Sequence, residues 1–280
     1  MDQSKLFKAF ERNKAERKLV QKDAIVPESE PVELKPKSGD RVLQDLVPSN
    51  TLMKRTASLN EMRNPNPMTL ADMKKNKLVY SGMKNRAVLN AYRELRIKLV
   101  ELSESNNLTV MMSSVDTSDN SIITAMNLAI SFSLDVNSSA LLVDCNPYGT
   151  DLQSIVTSKF NTGITDYVLD HSLGLESIIY PSGIERVSVI PAGNNPASAV
   201  EQFSSQAMQE LFYELKNRYS DRFIVVNTPP VLSSSEARVL AKYCDHSVLT
   251  VPYGRADIDA IEEAVEAIGA ANVTGVVYQQ

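Results

Sequence analysis

Cysteine and histidine are scarce in this chain of 280 residues. There are two of each, Cys145, Cys244, His171 and His246, and none stands at a spacing that would hold a metal. A zinc-organised fold is excluded, and no metal-ligating residues are assigned. Each cysteine closes an apolar segment and is expected to be a buried thiol. Sequence alone leaves a disulfide between them open, although the lack of a charged-then-apolar leader pattern predicts a reducing compartment. No run of about 18 apolar residues occurs, so no membrane-spanning helix is expected. A further shortage is local: from Ser113 to Ser121 there is neither a glycine nor a lysine.

That shortage falls where it matters most. Leu108 to Met112 is an apolar run with β-branched members, Ser113 to Ser121 is a polar loop, and Ile122, Ile123, Met126 and Ala129 recur at helical spacing on one face. Strand, loop and helix in this order form the setting of a phosphate-binding loop. Such a loop needs glycines so that backbone N–H groups can curl round phosphates, a lysine for charge, and a Ser or Thr hydroxyl for Mg²⁺.

What the chain does have is enough apolar material, 43% of its residues, for a large packed domain, together with an uneven charge. Residues 1–104 carry 21 basic and 14 acidic side chains, whereas residues 105–280 carry 8 and 20, within a net charge of −5. This is a basic arm on an acidic body. Such an arm suits an anionic membrane surface, nucleic acid, an acidic partner or the body of a neighbouring copy, or simply solvates itself. Residues 4–20 read as a short helix with Leu6, Phe7 and Phe10 on one face. Residues 21–66, rich in Pro, Glu, Lys, Ser and Asn, read as a flexible tether closed by Asn64-Pro65-Asn66-Pro67. The expected division is therefore residues 1–66 as helix and tether, and 67–280 as one domain.

Within that domain, Val88, Leu89, Tyr92, Leu95, Ile97, Leu99 and Leu102 mark a long helix, on which Asn90, Arg93 and Arg96 lie three apart. Short apolar runs at 139–145, 187–190, 223–226, 248–251 and 273–278 read as buried strands. Helices are expected at 151–156, 163–170, 173–179, 204–219, 236–243 and 257–268. Strands that are apolar throughout and alternate with helices predict an α/β fold, a mostly parallel sheet covered by helices on both faces. In such sheets ligands bind beyond the carboxyl ends of the strands, which directs attention to the loop after Met112, to Asp144-Cys145-Asn146 and to Asn227-Thr228-Pro229-Pro230.

Taken together, Ser113 to Ala129, Ala140-Leu141-Leu142-Val143-Asp144-Cys145-Asn146, Val189-Ile190-Pro191-Ala192-Gly193 and Val225-Val226-Asn227-Thr228-Pro229-Pro230 resemble the bacterial tyrosine autokinases of capsule and exopolysaccharide synthesis, which have a P-loop fold. The segment Leu89 to Leu99 is similar to the helix that precedes the kinase domain in that family. The order and spacing of the motifs carry the resemblance, which spans about residues 70 to 278.

The same resemblance implies that the nucleotide site is degenerate. The family's Gly-Glu-Gly-Lys-Ser/Thr falls on Ser118, Asp119, Asn120, Ser121 and Ile122, so both glycines have side chains, the lysine is a serine and the Mg²⁺ hydroxyl is an isoleucine. The first acid of the second motif survives as Asp144 and the second is Asn146. The strand-end acid after the third run is Asn227, an amide that brings no negative charge to a metal. Losing the lysine and these carboxylates removes the groups that neutralise a transferring phosphoryl group. No catalytic residue is assigned, and no cofactor is expected. Of the family's subunit-contact pattern Glu, Arg, Arg, the chain keeps Arg93 and Arg96 and replaces the acid with Asn90; of its tyrosine cluster after the last strand one tyrosine is left, Tyr278, which reads as part of the final strand itself.

The expectation is a non-catalytic regulatory or scaffold component of a polysaccharide synthesis and export system. It would work in the cytoplasm, at the inner face of the membrane through a partner, with no nucleic acid. The partners implied are a membrane-bound polysaccharide co-polymerase, an active autokinase relative, or further copies of the chain. Two other readings stand beside it: a weakly active autokinase that binds ATP and Mg²⁺ through Asp144 and the Thr228-Pro229-Pro230 turn, and a relative of the partition and division-positioning ATPases, which share this sheet.

Overall fold

Val110, Met111 and Met112, consecutive residues of one strand, are all completely buried. Alternation along a strand sends Val110 and Met112 to one apolar cluster and Met111 to the other, so this strand is covered on both faces. The computed structural model describes residues 62, 64–103, 107–117, 121–149, 151–170, 172–218, 222–254 and 257–279, all within one unit, Leu52–Gln280. The expected helix at 4–20, nearly all of the expected tether at 21–66, and Ser118, Asp119 and Asn120 lie outside the described residues.

In chain order the elements are α1 (Leu70–Lys75), α2 (Arg86–Leu102), β1 (Thr109–Ser114), α3 (Ile122–Ser133), β2 (Ser139–Asp144), α4 (Asp151–Ile155), α5 (Ile164–Leu169), β3 (Tyr180–Pro181), β4 (Val187–Ile190), α6 (Ala199–Phe203), α7 (Gln206–Arg218), β5 (Arg222–Asn227), α8 (Glu236–Leu240), β6 (His246–Pro252), α9 (Ile258–Ile268) and β7 (Val273–Gln279). Seven strands form one sheet in the order β3-β4-β2-β5-β1-β6-β7. Every pairing is parallel except the short β3–β4 pair at the edge. This is the mostly parallel, helix-covered α/β sheet expected from the sequence.

Three local expectations are corrected. Residues 173–179 form a single 3-10 turn, Leu175–Ser177, rather than a helix, because the chain must turn at once into the edge strand β3. The helix expected from Ser204 starts at Gln206, since Ser204 instead ends α6, a short helix that sequence pattern missed. Both cysteines are free thiols as expected, but only Cys145 is buried, Cys244 being half-buried.

Helix α3 also departs from its expected single apolar face, because eleven of its twelve residues are buried. It packs on β2 and β5 on one side and on α2 on the other. Its polar residues serve this second contact. Asn127 accepts from Val79 N at 2.9 Å and donates to Lys77 O at 3.1 Å. Ser131 Oγ donates to Tyr92 O at 3.1 Å. A buried polar group must be hydrogen-bonded, and here those bonds tie α2 and the strap before it to the helix that opens at the candidate site. Arg96 joins them, its guanidinium donating to Ser131 O at 2.8 Å.

Candidate functional site

The strand order places β5 between β1 and β2, so their carboxyl ends converge: Asn227 pairs in register with Met112 on one side and with Asp144 on the other. Ser121, which caps α3, sits above them. These three residues, distant in sequence, are joined by side-chain hydrogen bonds. Ser121 Oγ donates to Asn227 Oδ1 at 2.6 Å, and Asn227 Nδ2 donates to Asp144 Oδ1 at 2.8 Å. Asn146 N also donates to Asp144 Oδ1, at 3.1 Å. All three are buried, Asn227 at 1% exposure, Ser121 at 3% and Asp144 at 5%. Burial pushes the Asp144 carboxyl up to about 6; the Asn227 and Asn146 hydrogen bonds oppose this and the nearby Asp151 charge adds to it.

The remaining residues expected at the site are placed differently. Ile122 enters the first turn of α3 and is buried in the apolar cluster under the sheet face, 2% exposed. The Asn146 side chain folds into its own turn, where Oδ1 accepts from Tyr148 N at 3.2 Å. Asn90 and Arg93 stand exposed on α2 and face each other, with Arg93 donating to Asn90 Oδ1 at 3.4 Å. Arg96 is half-buried and spends its donor on the end of α3, so the three do not form one solvated row.

Two features at this end of the sheet escaped the sequence reading. Tyr148, on the loop after β2, donates its hydroxyl to Glu236 at the start of α8. That bond, followed by desolvation and the charges of Glu236 and Glu201, pushes the Tyr148 phenol up to about 12. The second feature is the turn at Gly193. The Asp166 carboxylate accepts from Gly163 N at 2.8 Å, from Asn194 N and Nδ2 at 3.2 and 3.0 Å, and from Asn195 Nδ2 at 2.6 Å. Gly193 has φ +96, and a Cβ there would lie 2.4 Å from Thr165 Oγ1. One at Gly163 would lie 2.3 Å from Pro191 O, so both positions require glycine. The Pro191-Ala192-Gly193 run was visible in the sequence; its lock, Asp166, was not.

Mg²⁺ and a triphosphate do not fit this set of side chains. The amide at Asn227 fills both sides of the position a metal would need, accepting from Ser121 and donating to Asp144. Residues 113–121 include no basic side chain. Among the described residues no group of His, Cys, Asp and Glu could hold a metal ion. Nor is any described helix long and apolar enough to cross a membrane.

No family model matches the chain. Tyrosine-protein kinase YwqD of Bacillus subtilis (strain 168) is 27% identical over 178 residues, covering 63% of this chain and 73% of the relative. Tyrosine-protein kinase CpsD of Streptococcus agalactiae is 24% identical over 172 residues, 60% of this chain and 72% of the relative. Among solved structures, the kinase domain of the Escherichia coli tyrosine kinase ETK superposes with a TM-score of 0.65 at 20% identity, covering 76% of this chain and 88% of that one. The chimerical protein CapA2B2 gives 0.64 at 19% identity, covering 81% and 98%. The fold is that of these P-loop kinase domains, and the chain is a distant, partial match to the bacterial tyrosine autokinases.

Proposed function

We propose that this chain is a non-catalytic relative of the tyrosine autokinases that acts as a regulatory or scaffold subunit in exopolysaccharide or capsule synthesis and export. One observation carries this reading: the Ser121–Asn227–Asp144 relay closes, with the protein's own hydroxyl and amide, the place at the strand ends where such a fold would hold a metal and phosphates. A kinase keeps those ligands available and pays for their repulsion with bound cation. Here the Asn227 amide, itself held by Ser121, and the Asn146 backbone N–H donate to the acid that remains in the motif.

Its partner in this reading is the cytoplasmic face of a polysaccharide co-polymerase or an active autokinase relative. Arg93, exposed on α2, is a contact offered to it. The test is polymer export by cells whose only copy carries Asp144→Asn. A scaffold exports polymer at the native level with this substitution. Loss of export by a correctly folded Asp144→Asn protein would return the site to catalysis.

A further inference from the structure

Beside the closed relay the chain keeps an open cleft of about 200 Å³ at the carboxyl ends of β2 and β4, room for one six-membered sugar ring. Asp144 borders it at one end, Leu152 and Phe160 supply apolar wall, and Asn161, Thr162 and Asn194 supply donors and acceptors. Both hydrogen bonds to Asp144 end on Oδ1. The Asn161 side chain is exposed and, among the described residues, makes no hydrogen bond. No lysine, arginine or histidine is among the described residues that line the cleft.

The walls are fixed before any ligand arrives. The Tyr180 hydroxyl accepts from Asn161 N at 3.3 Å and Thr162 N at 3.1 Å, while Phe160 lies edge-on to the Tyr180 ring at 5.1 Å between centroids. The opposite wall is the Gly193 turn, locked onto α5 by Asp166. Ordering that is already complete does not have to be spent on binding, which is what a small ligand with few contacts needs.

The lining chemistry selects among ligands. A phosphate or carboxylate would meet Asp144 and, among the described lining residues, no cation, so anions are turned away. A purely apolar ligand would take water from the Asp144 carboxylate and from the exposed Asn161 and Asn194 side chains and give them no hydrogen bond in return. An ammonium group would find the Asp144 and Asp166 carboxylates already drawn into hydrogen bonds with Asn227, Asn146, Gly163, Asn194 and Asn195. A ring with hydroxyls around its rim and C–H groups on its face satisfies both halves of the lining.

We propose that this cleft binds a single neutral sugar ring, its hydroxyls on Asp144, Asn161 and Asn194 and its C–H face on Phe160 and Leu152. The inference does not rest on the scaffold reading, since an active or an inactive chain would carry the same cleft.

The experiment is a titration of the isotope-labelled full chain, followed by backbone amide shifts, with methyl glucoside, methyl galactoside and methyl mannoside as neutral probes, glucuronate as an anionic one, and adenosine as a flat, stacking one. At least one neutral glycoside is expected to shift Asn161, Thr162, Gly193 and Asn194 with a dissociation constant in the millimolar range, as its few atoms allow. Glucuronate should bind about 5-fold more weakly or worse, and Asn161→Ala should weaken the neutral glycoside by about 5-fold while leaving shifts elsewhere unchanged. Because Asn161 is exposed, that variant is expected to fold, and the unchanged spectrum verifies it. Silence from all three neutral glycosides, equal binding of glucuronate, preference for adenosine, or shifts confined to another face would each overturn the assignment.

Discussion

Replacing Asp144 by Asn should stabilise the protein at neutral pH, which is not what a metal-binding or catalytic carboxylate would do. The Asp144 carboxyl titrates at about 6 in the folded chain, against an ordinary value of 3.8, chiefly because it is buried. An acid whose folded pKa is raised favours folding fully below its unfolded value, and that contribution is lost as pH rises through the folded value. A shift of about two units corresponds to about 3 kcal/mol, lost between about pH 4 and pH 6. Asn at this position keeps the oxygen that accepts from Asn227 and Asn146 and carries no charge to desolvate. At pH 7.5 the variant should therefore be more stable by about 2–3 kcal/mol, or about 4–12 °C in Tm for a domain of this size. Near pH 4, where Asp144 is protonated both folded and unfolded, the gap should close. Thermal unfolding of both proteins followed by circular dichroism across pH 4 to 8 measures it. A variant less stable than the native chain at pH 7.5, or a gap that ignores pH, would show that the Asp144 charge is matched by a cation and would refute the reasoning.

Other perturbations act on the same constellation. Asn227→Asp removes the donor to Asp144 and sets a second carboxylate against it; unfolding should show a loss of about 2–4 kcal/mol at pH 7.5 that shrinks towards pH 5, whereas unchanged stability would mean that the relay contributes nothing. Gly193→Ala drives a Cβ to 2.4 Å from Thr165 Oγ1 at a positive φ, and should cost about 2 kcal/mol or more by denaturant titration. A neutral result there would deny the Gly193 turn its fixed shape.

Much of the fold was legible because buried parallel strands declare themselves. Val187–Ile190 appears at the residues where its apolar run lies, and β5, β6 and β7 extend the expected runs by only a residue or two at their ends. Helix α3 was harder. Ile122, Met126 and Ala129 read as one apolar face, and nothing local reveals that α2 covers the other side or that Asn127 and Ser131 are buried to receive it. The two-residue β3 and five-residue α6 are too short to carry a period and form because their neighbours do.

At the site, motif positions indicated which residues would gather at the strand ends, and Ser121, Asp144 and Asn227 do gather there. Their bonding did not follow from the motifs. It depends on β5 lying between β1 and β2, a strand order that no local pattern encodes, and on an amide able to donate one way and accept the other. The Tyr148–Glu236 contact and the Asp166 lock are likewise products of topology, joining residues 88 and 28 positions apart.

The central claim, that the strand-end site is closed by its own side chains and holds no nucleotide, is tested most directly by calorimetric titration of the full chain with ATP and Mg²⁺. The expected result is no saturable heat up to about 1 mM ATP. A dissociation constant in the low micromolar range would contradict it, since the Ser121–Asn227–Asp144 relay would then have to open for a ligand that its residues are not equipped to hold.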